Sequence, residues 1–269
     1  MHPYDRTFYD PAVGYTVDKY LADVEERYGG VDSILLWPTY PNIGVDNRNQ
    51  IDLFRAMPGG LTAVRAVVHQ LKARGVRVLL PYNPWDVGTR REGLGKISDD
   101  FAMADLIKTI GADGFNGDTM ANVGRRFFDA GELRGLGIAI EPELMGLPLM
   151  SNYHTLGWAY WSLYTNATLH AEAATPRIDF YKWALDERWM SNSCERWSKN
   201  HTQFILHAYF NAVGFVSWEN VWGTWNQMRD VDAELLRRAA TIERFFGKAG
   251  FLTKRDGEFI ESQCVMMLL

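Results

Sequence analysis

Short apolar runs alternate along this chain with stretches of helical periodicity. Six runs read as buried strands: Ser33–Trp37, Val76–Tyr82, Ala112–Gly117, Gly137–Glu141, Arg177–Lys182 and Gly214–Trp218. They are short, mostly preceded by glycine or a turn, and rich in β-branched or aromatic residues. Between them lie apolar stripes with helical spacing. Leu61, Val64, Val68 and Leu71 form one, stopped by Gly75. Met103, Leu106, Ile107 and Ile110 form another, with Ser98 as its cap and Gly111 as its stop. Ile205, Ala208 and Ala212 precede Gly214, and Val231, Leu235, Ala239, Ile242 and Phe246 precede Gly247. A further helix is expected at about 17–27.

Repeated strand–helix units predict parallel strands joined by right-handed crossovers. The strand starts fall 25 to 43 residues apart, near the roughly 30 residues of a barrel unit. An open doubly wound sheet would favour a Gly-rich phosphate loop after its first strand. Here Trp37-Pro-Thr-Tyr-Pro-Asn42 follows, and no such motif occurs anywhere. The expected fold is therefore α/β, a single (β/α)8 TIM-like barrel over 1–254, with a tail at 255–269. The first and last barrel strands are faint, placed near Thr7–Tyr9 and at Gly250–Thr253. Little chain follows the second of these, so an incomplete or shortened barrel is expected at the C-terminus.

The predicted strand ends carry the chemistry. They read Trp37 to Asn42, then Asn83-Pro84-Trp85-Asp86, Asn116-Gly117-Asp118, Glu141-Pro142-Glu143 and Trp218-Glu219-Asn220. In a parallel barrel, active-site groups gather at the C-terminal ends of the strands. Parity sharpens this. An inward Asp118 carries Asn116 and Gly114 inward and sends Phe115 towards the helices, and an inward Glu141 sends Ile138 and Ile140 outward.

Composition narrows the classes. Aromatics make 13% of the 269 residues, and seven of ten tryptophans fall between 158 and 222, a density that suits a cleft as well as a core. A net charge of −5 argues against a nucleic-acid partner. Two cysteines make no disulfide framework, no His/Cys cluster has metal-ligand spacing, and no metal or other cofactor is expected. Met-His-Pro-Tyr-Asp is not the start of a signal peptide, and no apolar run approaches a membrane span of about 20 residues. Carboxylates around one mouth beside tryptophans suit glycoside hydrolysis, which uses one carboxyl as acid and another as nucleophile or base. Asp118 is expected as nucleophile, with Glu141 or Glu219 as acid/base. Trp37, Asn42, Asn83, Trp85, Asp86, Asn116, Glu143 and Trp222 are expected to contact a carbohydrate substrate, and His154 is a further candidate.

Val76–Asp86, Ala112–Met120 and Gly137–Leu144 resemble the third to fifth strands of retaining α-glycosidase barrels, the α-amylase-like and α-galactosidase-like groups. That resemblance implies a nucleophilic Asp ending strand four, matched by Asp118. In the α-amylase-like group it implies an acid Glu ending strand five, matched by Glu141. Asn116 stands where that group carries an arginine. Two alternatives use other features. Lys182 in the sixth strand would suit a Schiff-base lyase, and aromatic strand ends alone would suit a non-catalytic sugar-binding barrel.

Overall fold

The structure is a computed structural model and describes residues 3–39, 42–86, 97–144, 152–159, 190–194, 200–211, 213–217 and 228–248. It opens with a short antiparallel pair, β1 (Tyr9–Asp10) and β2 (Gly14–Tyr15), followed by α1 (Val17–Tyr28). Then come β3 (Ser33–Leu35), α2 (Gln50–Arg55), α3 (Gly60–Ala73), β4 (Arg77–Tyr82), α4 (Asp99–Ile110) and β5 (Gly114–Gly117). The remaining elements are α5 (Arg126–Leu133), β6 (Ala139–Pro142), β7 (Leu156–Ala159), β8 (Met190–Cys194), α6 (Thr202–Asn211), β9 (Gly214–Val216) and α7 (Asp230–Lys248).

The helices follow from their apolar stripes. Val64, Val67, Val68 and Leu71 form the buried face of α3. On α4, Met103, Leu106, Ile107 and Ile110 are buried, and Gly111 ends the helix in the left-handed region, its N–H bonded to the Ile107 carbonyl. Ser98 occupies the cap position of α4 by backbone alone, since its side chain makes no capping bond. The stripe expected on α7 is only partly inside. Val231 is 65% exposed, while Asp232, Ala233 and Ala239 are buried.

All strands after the first hairpin pair in parallel. They run β3-β4-β5-β6 in one sheet and β7-β8-β9 in another. Neighbours in space are thus neighbours in sequence. A doubly wound sheet reverses its order at a switch point, whereas a singly wound barrel does not. The two sheets meet where the Thr155 N–H donates to the Ile140 carbonyl at 3.1 Å. On the other side α7 packs on α1. Arg244 grips the Asp32 carboxylate at 2.9 and 3.0 Å and also donates to the Gly29 carbonyl. The architecture is therefore α/β and barrel-like, with seven sequentially ordered parallel strands among the described residues. No backbone pairing among these residues joins β9 to β3. A cavity of about 670 Å³ occupies that seam and reaches the interior, lined by Leu35, Val216, Leu236 and Glu141 among others.

Strand parity sorts the core. Val78, Leu80, Tyr82, Phe115, Ile138 and Ile140 belong to the apolar core shared with the helices. Phe115, Phe127 and Tyr82 pack there as a trio, with ring centres 4.8 to 6.1 Å apart. The opposite faces bring Leu79, Ala139 and Glu141 to the interior cavity. Gly114 lets β5 approach β6, because a Cβ there would collide with the Ala139 carbonyl and methyl.

The pattern reading changes in two respects. Tyr9 belongs to an antiparallel hairpin with Gly14–Tyr15; an Asp5 side chain accepting the Thr7 N–H turns the chain first. Tyr9–Asp10 is therefore not a parallel barrel strand. Leu156–Ala159 and Met190–Cys194 are strands absent from the pattern reading. Their compositions, LGWA and MSNSC, carry little strand propensity, and parallel pairing with their neighbours supplies the conformation. Arg177–Lys182, Gly250–Thr253 and the tail lie outside the described residues.

Candidate active site

The C-terminal ends of β4, β5 and β6 bring four sequence-predicted residues together. Asn116 of β5 stands in register with Glu141 of β6 and with Pro81 of β4. Asn116 donates from Nδ2 to Glu141 Oε2 at 3.1 Å. Two positions further up the same face, Asn83 Nδ2 donates to Asp118 Oδ2. Given strand spacing and rise, the Asp118 and Glu141 Cα atoms are about 8 Å apart. All four side chains are buried.

Glu141 is a buried carboxyl strongly raised above its ordinary range. Complete burial pushes it up to about 7. Hydrogen bonds from Asn116, Asn192 and the Trp158 indole oppose the rise. The Asn192 amide arrives from β8 and donates to Glu141 Oε1 at 2.8 Å. Donors from β5, β7 and β8 thus converge on one carboxyl that lines the interior cavity. A carboxyl near 7 is both acid and base at neutral pH, the condition for proton transfer.

The loop that carries Asp118 is held from β6. Thr119 adopts φ +59°, a left-handed conformation that costs a β-branched residue energy. Its N–H donates to Glu143 Oε2 at 2.5 Å, and the Glu143 N–H donates to the Gly117 carbonyl at 3.0 Å. Gly117 is required, since a Cβ would lie 2.5 Å from Val123 Cγ2. Asp118 caps no described helix, because Arg125 holds the cap position of α5. Glu143 therefore positions the turn, rather than standing free at the surface.

The other candidates scatter in role. Asp86 accepts the Gln50 N–H at 2.7 Å, tying the β4 end to the start of α2. Gln50 also holds the Asn83 backbone, accepting its N–H at 2.7 Å and donating to its carbonyl at 3.0 Å. Trp37 is buried and lines the interior cavity with Glu141 and Trp158, whereas Trp85 is 41% exposed at the end of β4. Asn42 closes its own loop, donating to the Pro38 carbonyl at 2.8 Å. His154 is buried, and burial lowers its basicity. Its Nε2–H meets the Val123 carbonyl at 2.9 Å. Asp118, Asn83 and Glu143 sit at the strand ends outside the interior cavity. Glu219, Trp222 and Lys182 lie outside the described residues. Among the described residues, no group of three or more His, Cys, Asp or Glu could hold a metal ion, and no helix is long and apolar enough to cross a membrane.

Asn192 and Trp158 went unassigned in the sequence. Had LGWA been recognised as a strand, parity would have put Trp158 on the face of Leu156, which lines the cavity. Nothing in MSNSC singles out Asn192.

No family model matches the chain, and no curated protein matches it. Solved structures that match include the crystal structure of N-acetyl-D-glucosamine-6-phosphate deacetylase from Mycobacterium smegmatis. Identity to that chain is 10% and the TM-score is 0.39, over 82% of this chain and 66% of that one. The present chain therefore spans just under two thirds of that protein's length, and a likeness at this level carries no functional argument.

Proposed function

We propose that this chain is a glycoside-hydrolase-like enzyme that cleaves a glycosidic bond with two carboxyls, Asp118 as nucleophile and Glu141 as acid/base. The observation that carries the reading is a raised, buried Glu141 with a second buried carboxyl, Asp118, at the neighbouring strand end. Glu141 is raised to about 7 by burial and held by three donors. Asp118 is fixed by Asn83 two positions up the same face. Such division into a proton-holding acid and a second carboxyl is what glycoside cleavage needs. Asn116 bonds Glu141 directly and orients it, and Glu143 fixes the Asp118 turn through Thr119. Trp37 and Trp158 beside Glu141 supply aromatic surface of the kind that packs on sugar C–H faces.

The test is a screen of nitrophenyl glycosides with Asp118→Asn as control. The wild type is expected to release nitrophenol from at least one glycoside. Asp118→Asn is expected to reduce that rate at least about 10³-fold while its circular dichroism and unfolding midpoint are kept. An undiminished rate in the variant removes Asp118 from the chemistry. Saturable sugar binding without turnover by the wild type selects the non-catalytic barrel instead.

A further inference from the structure

Two buried amide oxygens at the strand ends have no partner among the described residues. Asn83 and Asn116 are fully buried, and neither Oδ1 meets a hydrogen-bond donor from those residues. Each amide already spends its Nδ2 on a carboxylate, Asn83 on Asp118 and Asn116 on Glu141. In the structure each amide turns its Nδ2 to a carboxyl oxygen, so the carbonyl end is the one left over. Thr39 Oγ, after β3, is likewise buried without a partner among the described residues. Buried polar atoms are nearly always satisfied, and an exception at a strand-end site signals a partner the protein alone does not supply.

We propose that the Asn83 and Asn116 amide oxygens form the acceptor half of a ligand subsite, which takes two hydrogen-bond donors from an uncharged polyhydroxylated ring. The inference rests on the hydrolase reading for the location of the site, and it adds the polarity of the ligand. Both oxygens accept only, and each lies beside a carboxylate. The ligand must therefore present O–H or N–H groups there. A phosphate or carboxylate placed at these oxygens brings no donor. By sheet geometry the two Asn Cα atoms are about 8 Å apart, a span that one six-membered ring with its hydroxyls bridges.

The experiment is a titration of the full-length chain followed by NMR of the asparagine side-chain amides. The probes are D-glucose, D-galactose, D-mannose, the cationic polyol 1-deoxynojirimycin, glucose 6-phosphate and glucuronate. At least one uncharged sugar or the cationic polyol should bind saturably and shift the Asn83 and Asn116 amides. The two anionic probes should bind at least about tenfold more weakly. Asn83→Leu should weaken the favoured probe about tenfold, the loss of one hydrogen bond. Asn83→Ala covers the case in which the leucine variant fails to fold, and should weaken the favoured probe by a similar factor. Anionic probes binding as tightly as the neutral ones, an unchanged affinity in the Asn83 variants, or no saturable shift with any probe would overturn the subsite. Binding of this pattern without hydrolysis would leave the subsite standing and remove the enzyme. Turnover of a neutral glycoside unaffected by the Asn83 variants would do the reverse.

Discussion

Replacing Glu141 by glutamine isolates the cost of holding a charge in the barrel interior. The carboxyl is raised from its ordinary 4.5 to about 7, chiefly by burial. The folded protein thus binds this proton more tightly than the unfolded chain does. Stability from Glu141 is then complete below pH 4.5, falls as pH rises towards 7, and is flat above it. The shift corresponds to about 3 kcal/mol of stability lost across that window. Glutamine is neutral throughout and nearly isosteric. Its amide nitrogen must face one of the donors from Asn116, Asn192 or Trp158, at a cost of about 1 kcal/mol. Protonated Glu141 presents a hydroxyl to the same donors, so this mismatch largely cancels at low pH. Urea unfolding of both proteins at pH 4.5 and pH 8 supplies the comparison. The stability difference between variant and wild type should move in favour of glutamine by about 3 kcal/mol between the two pH values, whatever its offset. A movement below about 0.5 kcal/mol would mean that Glu141 titrates like an exposed carboxyl and that the buried-acid reasoning is wrong.

Two further substitutions probe the frame around the site. Gly114→Ala places a methyl against the Ala139 backbone across the β5–β6 pair, and should cost about 3 kcal/mol or more, read as a lowered urea midpoint or loss of soluble protein. A neutral effect would mean that the two strands are not as close as described. Thr119→Gly relieves the left-handed strain at φ +59°, and should stabilise the fold by about 1 kcal/mol in the same assay. Destabilisation would show that the threonine side chain makes compensating contacts.

Much of the frame was legible because period and punctuation agreed. Val78, Leu80 and Tyr82 alternate with residues of the opposite face, and Gly111 stops a four-residue apolar stripe. Parity then placed Phe115, Ile138 and Ile140 on the helix side before any coordinate did. The donors around Glu141 and Asp118 were half legible. Asn116 shares a strand with Asp118 and Asn83 ends a clear strand, so both fell within reach of pattern reasoning. Asn192 and Trp158 did not, because β7 and β8 are made by pairing rather than by propensity. The bond from Thr119 to Glu143 was not legible, because it depends on a left-handed Thr119 that no local pattern announces. Asp86 also anchors α2 by accepting the Gln50 N–H, a structural bond that its place at a strand end did not announce.

The pH dependence of kcat/KM on a nitrophenyl glycoside tests the central claim most directly, measured beside the same profile for 2,4-dinitrophenyl glycoside and Glu141→Gln. Dinitrophenolate leaves without a proton, so the variant keeps a measurable rate on that substrate. The account predicts a wild-type basic limb with its midpoint near 7 on the nitrophenyl glycoside, set by loss of the Glu141 proton, and no such limb in the variant. A limb at the same pH in Glu141→Gln would assign the acid to another residue and contradict the account.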